Sequence, residues 1–406
     1  MEIGTGASTF FRVKLAPTVE ALYGVEDTVF RRSIGALLGP PLLPGNRVTL
    51  LVNGDSFYPS MLEAIRAAER TITLETYMMW SGRIASTFVE ALTNRALAGV
   101  RVHVTLDWFG SRKLGEDVRA RMRAAGIELA LYRPPTWGNL LRFDQRTHRR
   151  ILVVDGRVGF AGGMGITDVW TGNAQGPGHW RDTAVRVEGP VVAQLQGAFV
   201  DNWVETTGSL LHGDAYFPEL PQRGDVVAQA FWSSPHEGNY NARVMYHLSI
   251  ASAKRTIRLA NAYFVPDRLM MRTLLDARAR GVAVELLVAG PTDIPLTRWA
   301  GRLRWGKLLT AGIRIFVYQA AVLHAKTMVV DDLWSTVGSA NVDRLSLRLL
   351  DEVNVNVLDP RVAAEHVAIF EQDKSQSIEV TLDGWRNRSW FSRAKEWFAG
   401  LLDSRM

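Results

Sequence analysis

A long-range internal repeat constrains this chain more than any other feature. Residues 323–341 read LHAKTMVVDDLWSTVGSAN, with the spacing H-x-K-x4-D followed by G-S-x-N. Residues 147–165, earlier by 176 positions, read THRRILVVDGRVGFAGGMG. His148 falls on His324, Asp155 on Asp331 and Gly162 on Gly338 at one offset. Arg255-Thr256-Ile257 also echoes Arg70-Thr71-Ile72, and Gly281-Val282 echoes Gly99-Val100. A period this long is no solenoid unit. It predicts two similar domains whose pseudo-two-fold packing brings the two histidine strands together.

Within the first copy, β-rich runs at 47–52, 71–77, 100–106 and 127–132 alternate with helical spacing at 61–68, 88–97 and 118–125. The second copy replays that order, with helices at 239–253 and 303–310 and a strand at 313–318. Strand and helix in alternation imply an α/β fold, with mixed or parallel sheets flanked by helical crossovers. The expected divisions are an N-terminal arm over 1–45, domains over 46–212 and 213–375, and a tail over 376–406. The stretch 208–225 is the candidate linker. Proline and glycine at 39–41 argue against a continuous helix in the arm, which either touches lipid or packs on the body.

Side chains at i and i+2 of a strand share a face, so His148 and Arg150 point together, as do His324 and Lys326. Histidine titrates near neutrality, so one ring can attack while the other donates a proton. A cation beside each ring suits the non-bridging oxygens of a phosphate. Ser339 and Asn341 add donors from a glycine turn. Asp155 and Asp331 belong to the same catalytic frame, more as supports for cations or backbone than as attacking groups. The pattern predicts phosphodiester chemistry without a metal. The chain has no cysteine, and no histidine pair has zinc-ligand spacing.

These motifs resemble the phospholipase D superfamily, and the flanking sequence from about residue 47 to 360 resembles its bacterial cardiolipin synthase branch, of the type without transmembrane helices. The first copy departs from that pattern: Arg150 stands for the usual Lys, and Gly163 and Gly165 for the Ser and Asn. The resemblance implies transfer of a phosphatidyl group to phosphatidylglycerol through a phosphohistidine, with no cofactor. His148 is then the nucleophile and His324 the proton carrier, although the fuller second motif leaves the reverse assignment open. Arg150 and Lys326 would hold the phosphoryl oxygens. Asp182 follows His148 by 34 residues and Glu352 follows His324 by 28, positions that resemble the family's ring-supporting acids. Glu75 and Tyr77 end a first-copy strand and Asn261 and Tyr263 its counterpart. Ligands gather at the carboxyl ends of such strands, so these four, with His179, are candidate substrate contacts. The alternatives are a phospholipase D hydrolase using the same residues, a nucleic-acid phosphodiesterase, and a non-catalytic scaffold.

A formal net charge of +6 suits an anionic partner, lipid surface or nucleic acid. No lysine-arginine arm favours nucleic acid. No apolar run reaches the length of a spanning helix, and no secretory leader pattern is present. With these features, the resemblance implies a peripheral location, on the cytoplasmic side of a bacterial inner membrane. Trp390, Phe391, Ala394, Trp397, Phe398, Leu401 and Leu402 fall on one helical face, with Arg and Lys opposite. That tail either lies on anionic lipid or docks on its own domain.

Overall fold

The computed structural model describes residues 19–135 and 145–402. In the first half, β1 (Leu43–Val52) leads through Asn53 into α2 (Gly54–Arg66), after a short α1 (Thr28–Leu38). Then come β2 (Thr71–Thr76), α3 (Arg83–Leu97), β3 (Arg101–Asp107), α4 (Glu116–Ala124) and β4 (Glu128–Tyr132). β5 (Arg150–Val154), β6 (Val158–Gly162), β7 (Trp180–Arg181), β8 (Thr183–Glu188) and α5 (Val192–Thr207) complete it. The second half runs β9 (Val226–Ser233), α6 (Asn241–Ala251), β10 (Thr256–Asn261), α7 (Arg268–Ala279), β11 (Ala283–Ala289), α8 (Pro295–Thr310) and β12 (Arg314–Tyr318). It continues with β13 (Val322–Leu323), β14 (Lys326–Val330), β15 (Trp334–Gly338), α9 (Arg344–Arg348), β16 (Glu352–Leu358) and α10 (Pro360–Ser375). β17 (Ser377–Glu379), α11 (Leu382–Arg386) and α12 (Trp390–Leu402) close the described chain.

β2, β3 and β4 pair in parallel, as do β10, β11 and β12, each joined by helical crossovers. β5 and β14 add antiparallel to β2 and β10. From the centre outward the strand order is 1-8-6-5-2-3-4 in one half and 9-16-15-14-10-11-12 in the other, with β17 beyond. The repeat in sequence is thus a repeat in topology. β1 pairs with both β8 and β9, so the halves share one sheet of 15 strands among the described residues. The inner faces of the two halves also meet. Val153, Ala161 and Val185 pack in one core with Val337, Val353 and Val355. Every residue of β2, β5, β14, β15 and β16 is buried, as expected for strands covered on both faces.

Two boundaries differ from expectation. The arm is not separate: α1 forms up to Gly39, at φ 88°, and buries Phe30, Ile34 and Leu38. Phe30 meets Trp334 edge to face at 4.9 Å, which docks α1 on the second half. Proline therefore ends the helix instead of preventing it. The expected limit at residue 45 lies inside β1. The 208–225 stretch carries no helix or strand and is mostly exposed, with Leu211, Ala215 and Tyr216 buried. Residues 1–18 and 136–144, including Pro135's following loop at Gly138, lie outside the described residues.

Among the described residues no helix is long and apolar enough to cross a membrane. α12 packs on α8 through Ala399 against Ala300, and through Glu396, which takes Arg302 and Arg388 at 2.8 and 2.9 Å. The aromatic face points outward: Trp390 and Trp397 are 67% and 65% exposed, and Phe391 and Phe398 are exposed beside them.

Candidate active site

Each histidine strand is gripped by the opposite half. The His148 amide donates to the Asp351 carbonyl at 2.8 Å, and Thr147 bridges to Asp351 in parallel. In the matching place β13 pairs with β7, and the His324 amide donates to the Arg181 carbonyl at 2.7 Å. The gripping residues immediately precede Glu352 and Asp182. The acids therefore cross over: His148 Nδ1 lies 2.9 Å from Glu352, and His324 Nδ1 lies 2.8 Å from Asp182. Sequence spacing pairs each acid with the histidine of its own copy; the fold pairs it with the other.

The expected i, i+2 pairing holds. Arg150 Nη2 sits 2.9 Å from His148 Nε2, and Lys326 Nζ sits 3.0 Å from His324 Nε2. His148, Arg150, His324 and Lys326 are all buried. Both rings line one cleft of about 450 Å³ with Tyr77, Arg146, Arg150, Tyr263 and Asn341. Tyr77 meets the His148 ring at 5.2 Å, and Trp180 meets His324 at 4.7 Å.

Burial pushes both imidazoles below their usual range, and neighbouring cations add to the shift: Arg150 for His148, and Lys326 for His324, which falls to about 4. Burial likewise lowers Lys326 to about 7. The two acids diverge. Burial pushes Glu352 well up, although hydroxyls of Ser339 and Ser346 donate to it. Burial also acts upward on Asp182, but the His324 hydrogen bond, Lys326 and the Trp170 indole (3.0 Å) outweigh it and hold the carboxyl low.

Several expected residues do other work. Asp155 accepts the amides of Glu69, Arg70 and Thr71 at 2.9, 2.7 and 2.8 Å. Asp331 accepts those of Lys254, Arg255 and Thr256 at 2.7, 2.7 and 2.8 Å. Each lies seven residues past its histidine, on the order of 20 Å along a strand. They pin the starts of β2 and β10 and are outside the catalytic set. Ser339 spends its hydroxyl on Glu352 instead of facing the cleft. Glu75 is fully buried behind the cleft, where Thr147 and Asn202 donate to it, and burial raises it to about 7. Asn261 accepts the Val342 amide at 3.0 Å, and the His179 ring meets Gln175 at 2.9 Å. None of these three lines the cleft: the strand ends turn Glu75 and Asn261 into the domain, and His179 sits in a partly exposed turn. Tyr77, Tyr263 and Asn341 do line it.

Glu205, His236 and Glu237 could together reach a metal ion. The carboxylates of Asp351 and Glu205 instead raise His236 to about 9, which favours an imidazolium that has no lone pair to offer. Sequence reasoning missed Trp170, Ser346, Asp293 and Asp343. Only Ser346 and Asp343 carried a signal, their closeness to the G-S-x-N turn.

The match to known proteins follows this geometry. A family model described as "Cardiolipin synthase, PLD-like domain" matches residues 247–374. The chain is 31% identical over 359 residues to the probable cardiolipin synthase YwiE of Bacillus subtilis (strain 168), spanning 88% of this chain and 72% of that one. It is 31% identical over 364 residues to the cardiolipin synthase of Staphylococcus aureus (strain N315), spanning 89% and 74%. In fold it resembles the phosphatidylserine synthase of Haemophilus influenzae Rd KW20, with a TM-score of 0.68 at 12% identity over 93% of this chain and 97% of that one.

Proposed function

The chain belongs to the cardiolipin synthase family of the phospholipase D superfamily, and on that premise we propose that it moves a phosphatidyl group from one phospholipid to phosphatidylglycerol through a phosphohistidine. It is a phospholipid phosphatidyltransferase of that superfamily. The observation carrying the proposal is that His148 and His324, from opposite halves, line one cleft with their Nδ1 atoms held by buried acids.

In the first step His148 Nε2 bonds to phosphorus, and the bond from phosphorus to the head-group oxygen breaks. The departing oxygen takes a proton from His324. The incoming phosphate diester favours that proton by its negative charge, and Asp182 supports the ring. In the second step a hydroxyl of phosphatidylglycerol loses its proton to His324 and attacks phosphorus, and the bond to His148 breaks. Arg150 and Lys326 neutralise the equatorial oxygens, where charge develops. The low Asp182 supports His324 as the ring that cycles through an imidazolium, which leaves His148 as nucleophile.

Transfer in preference to hydrolysis is supported by the apolar lining from Met78, Phe109, Ile294, Leu345 and Leu350, which disfavours water. The same lining, with the outward aromatics of α12, favours lipid over nucleic acid. Those aromatics, beside Arg393 and Lys395, would seat the protein peripherally on an anionic membrane, on the cytoplasmic side. Incubation with phosphatidylglycerol vesicles tests the reaction. Cardiolipin and glycerol are the expected products, and phosphatidic acid alone would overturn transfer in favour of hydrolysis.

A further inference from the structure

The cleft is not electrically even. Its first-half wall carries Arg146, Arg150 and the rings of Tyr77 and Phe109, with no carboxylate among the described lining residues. Its second-half wall carries Asp293 and Asp343. Carboxylates repel a phosphodiester, so in a cleft built for phosphate they must face some other part of the substrate.

Three details of that wall point to hydroxyl groups. Asp293 is held in place by the Tyr263 hydroxyl, which donates to it at 2.6 Å, and the same Tyr263 ring lies 6.1 Å from that of His324. Asp343 uses one oxygen to cap α9, accepting the Ser346 amide at 2.7 Å. Asn341, only 2% exposed, lines the cleft with its Oδ1 buried and without a partner among the described residues. A buried acceptor without a donor is costly unless a ligand supplies one. Lys326 bears its positive charge on both carboxylates, so the wall does not call for a further cation.

We propose that Asp293, Asp343 and Asn341 form a subsite for a neutral polyhydroxy head group of the glycerol type, accepting its free hydroxyls while the reacting oxygen lies at His324. The subsite rests on the phosphatidyl transfer proposed above. It sorts the cleft into a phosphate side at Arg150 and Lys326 and an alcohol side at Asp293, Asp343 and Asn341. The head group that leaves and the one that arrives both use the alcohol side, beside the ring that carries the proton.

The full chain is assayed with phosphatidyl-p-nitrophenol in vesicles, a donor whose leaving group has no spare hydroxyls. Glycerol and 1-propanol compete as acceptors at equal concentration. The wild-type protein should favour glycerol by about tenfold or more, because propanol leaves the acceptors unpaired. Asp293→Ala should lower that ratio severalfold while p-nitrophenol release with propanol persists. Asp293 lies on an exposed loop, so its variant should fold normally. Equal use of the two alcohols by the wild type, or a ratio unchanged in Asp293→Ala, would overturn the subsite while leaving phosphatidyl transfer standing. Preference for ethanolamine over glycerol would overturn it in favour of an ammonium site. No p-nitrophenol release at all from the wild type would remove the proposed transfer and the subsite with it.

Discussion

In the second half Glu352 is held by the hydroxyls of Ser339 and Ser346; in the first, Asp182 is held by the indole of Trp170. The frames are the same, with a histidine strand gripped by the other half and an acid crossing over. The donors are not. Gly163 occupies the place of Ser339, and a Cβ there would lie 2.7 Å from Asp182. Gly165 occupies the place of Asn341, and a Cβ there would lie 2.9 Å from both the Trp170 ring and the Met78 carbonyl. The departures in the first motif therefore fit the packing around them. Trp170 fills the space beside Gly165, and its indole gives Asp182 the hydrogen bond that Ser339 gives Glu352. Two equal half-sites would compete for one phosphate; unequal ones can divide attack from proton transfer.

The largest expected effect cuts across the comparison. His148→Ala and His324→Ala should each lower turnover by about 10⁴-fold or more, since nucleophile and proton carrier act as a unit. A variant retaining a tenth of wild-type rate would sink the two-histidine mechanism. The acids should then separate the half-sites. Asp182→Asn replaces an ionised partner of the imidazolium and should cost about 10³-fold. Glu352→Gln replaces a carboxyl that burial pushes toward its neutral form, and should cost about tenfold. Steady-state rates for the pair check this, and equal losses would contradict the division of roles.

Restoring the motif should do harm. Gly165→Asn must displace Trp170 or a backbone carbonyl, an overpacking cost of about 1–3 kcal/mol. A lowered Tm with reduced activity is expected; a gain in rate would show that the first half is merely degenerate. The smallest effect concerns pH. Lys326, lowered to about 7, loses its charge as pH rises through that value, so phosphate binding should weaken on the alkaline side. Lys326→Arg gives the second half the first half's cation, which stays charged. The alkaline limb of the pH–rate profile should move upward, and an unmoved limb would assign it to another group.

Much of this was legible in the sequence, because a strand's two-residue period and a fixed offset place His148, Arg150, His324 and Lys326 without any knowledge of packing. The repeat also foretold the matched α/β halves. What stayed hidden depended on contacts between halves. Crossing of Asp182 and Glu352 follows from β7 pairing with β13, a two-residue ladder with no pattern of its own. The continuous sheet hangs on β1 pairing with both β8 and β9. The ends of β2 and β10 read in sequence as facing ligand, whereas burial on both sides turns Glu75 and Asn261 inward. The helix over 390–402 was foreseen, but its polar Glu396 faces the body and its aromatics face out, since Arg302 and Arg388 give the carboxylate a place to be buried.

Capture of the covalent intermediate tests the central claim most directly. Phosphatidylglycerol labelled at phosphorus would be mixed with the full chain, quenched within a turnover at alkaline pH and digested, and the labelled peptide sequenced. The account predicts a phosphohistidine at His148 that disappears when acceptor lipid is chased in. Label on His324, or turnover with no labelled histidine at any quench time, would contradict it.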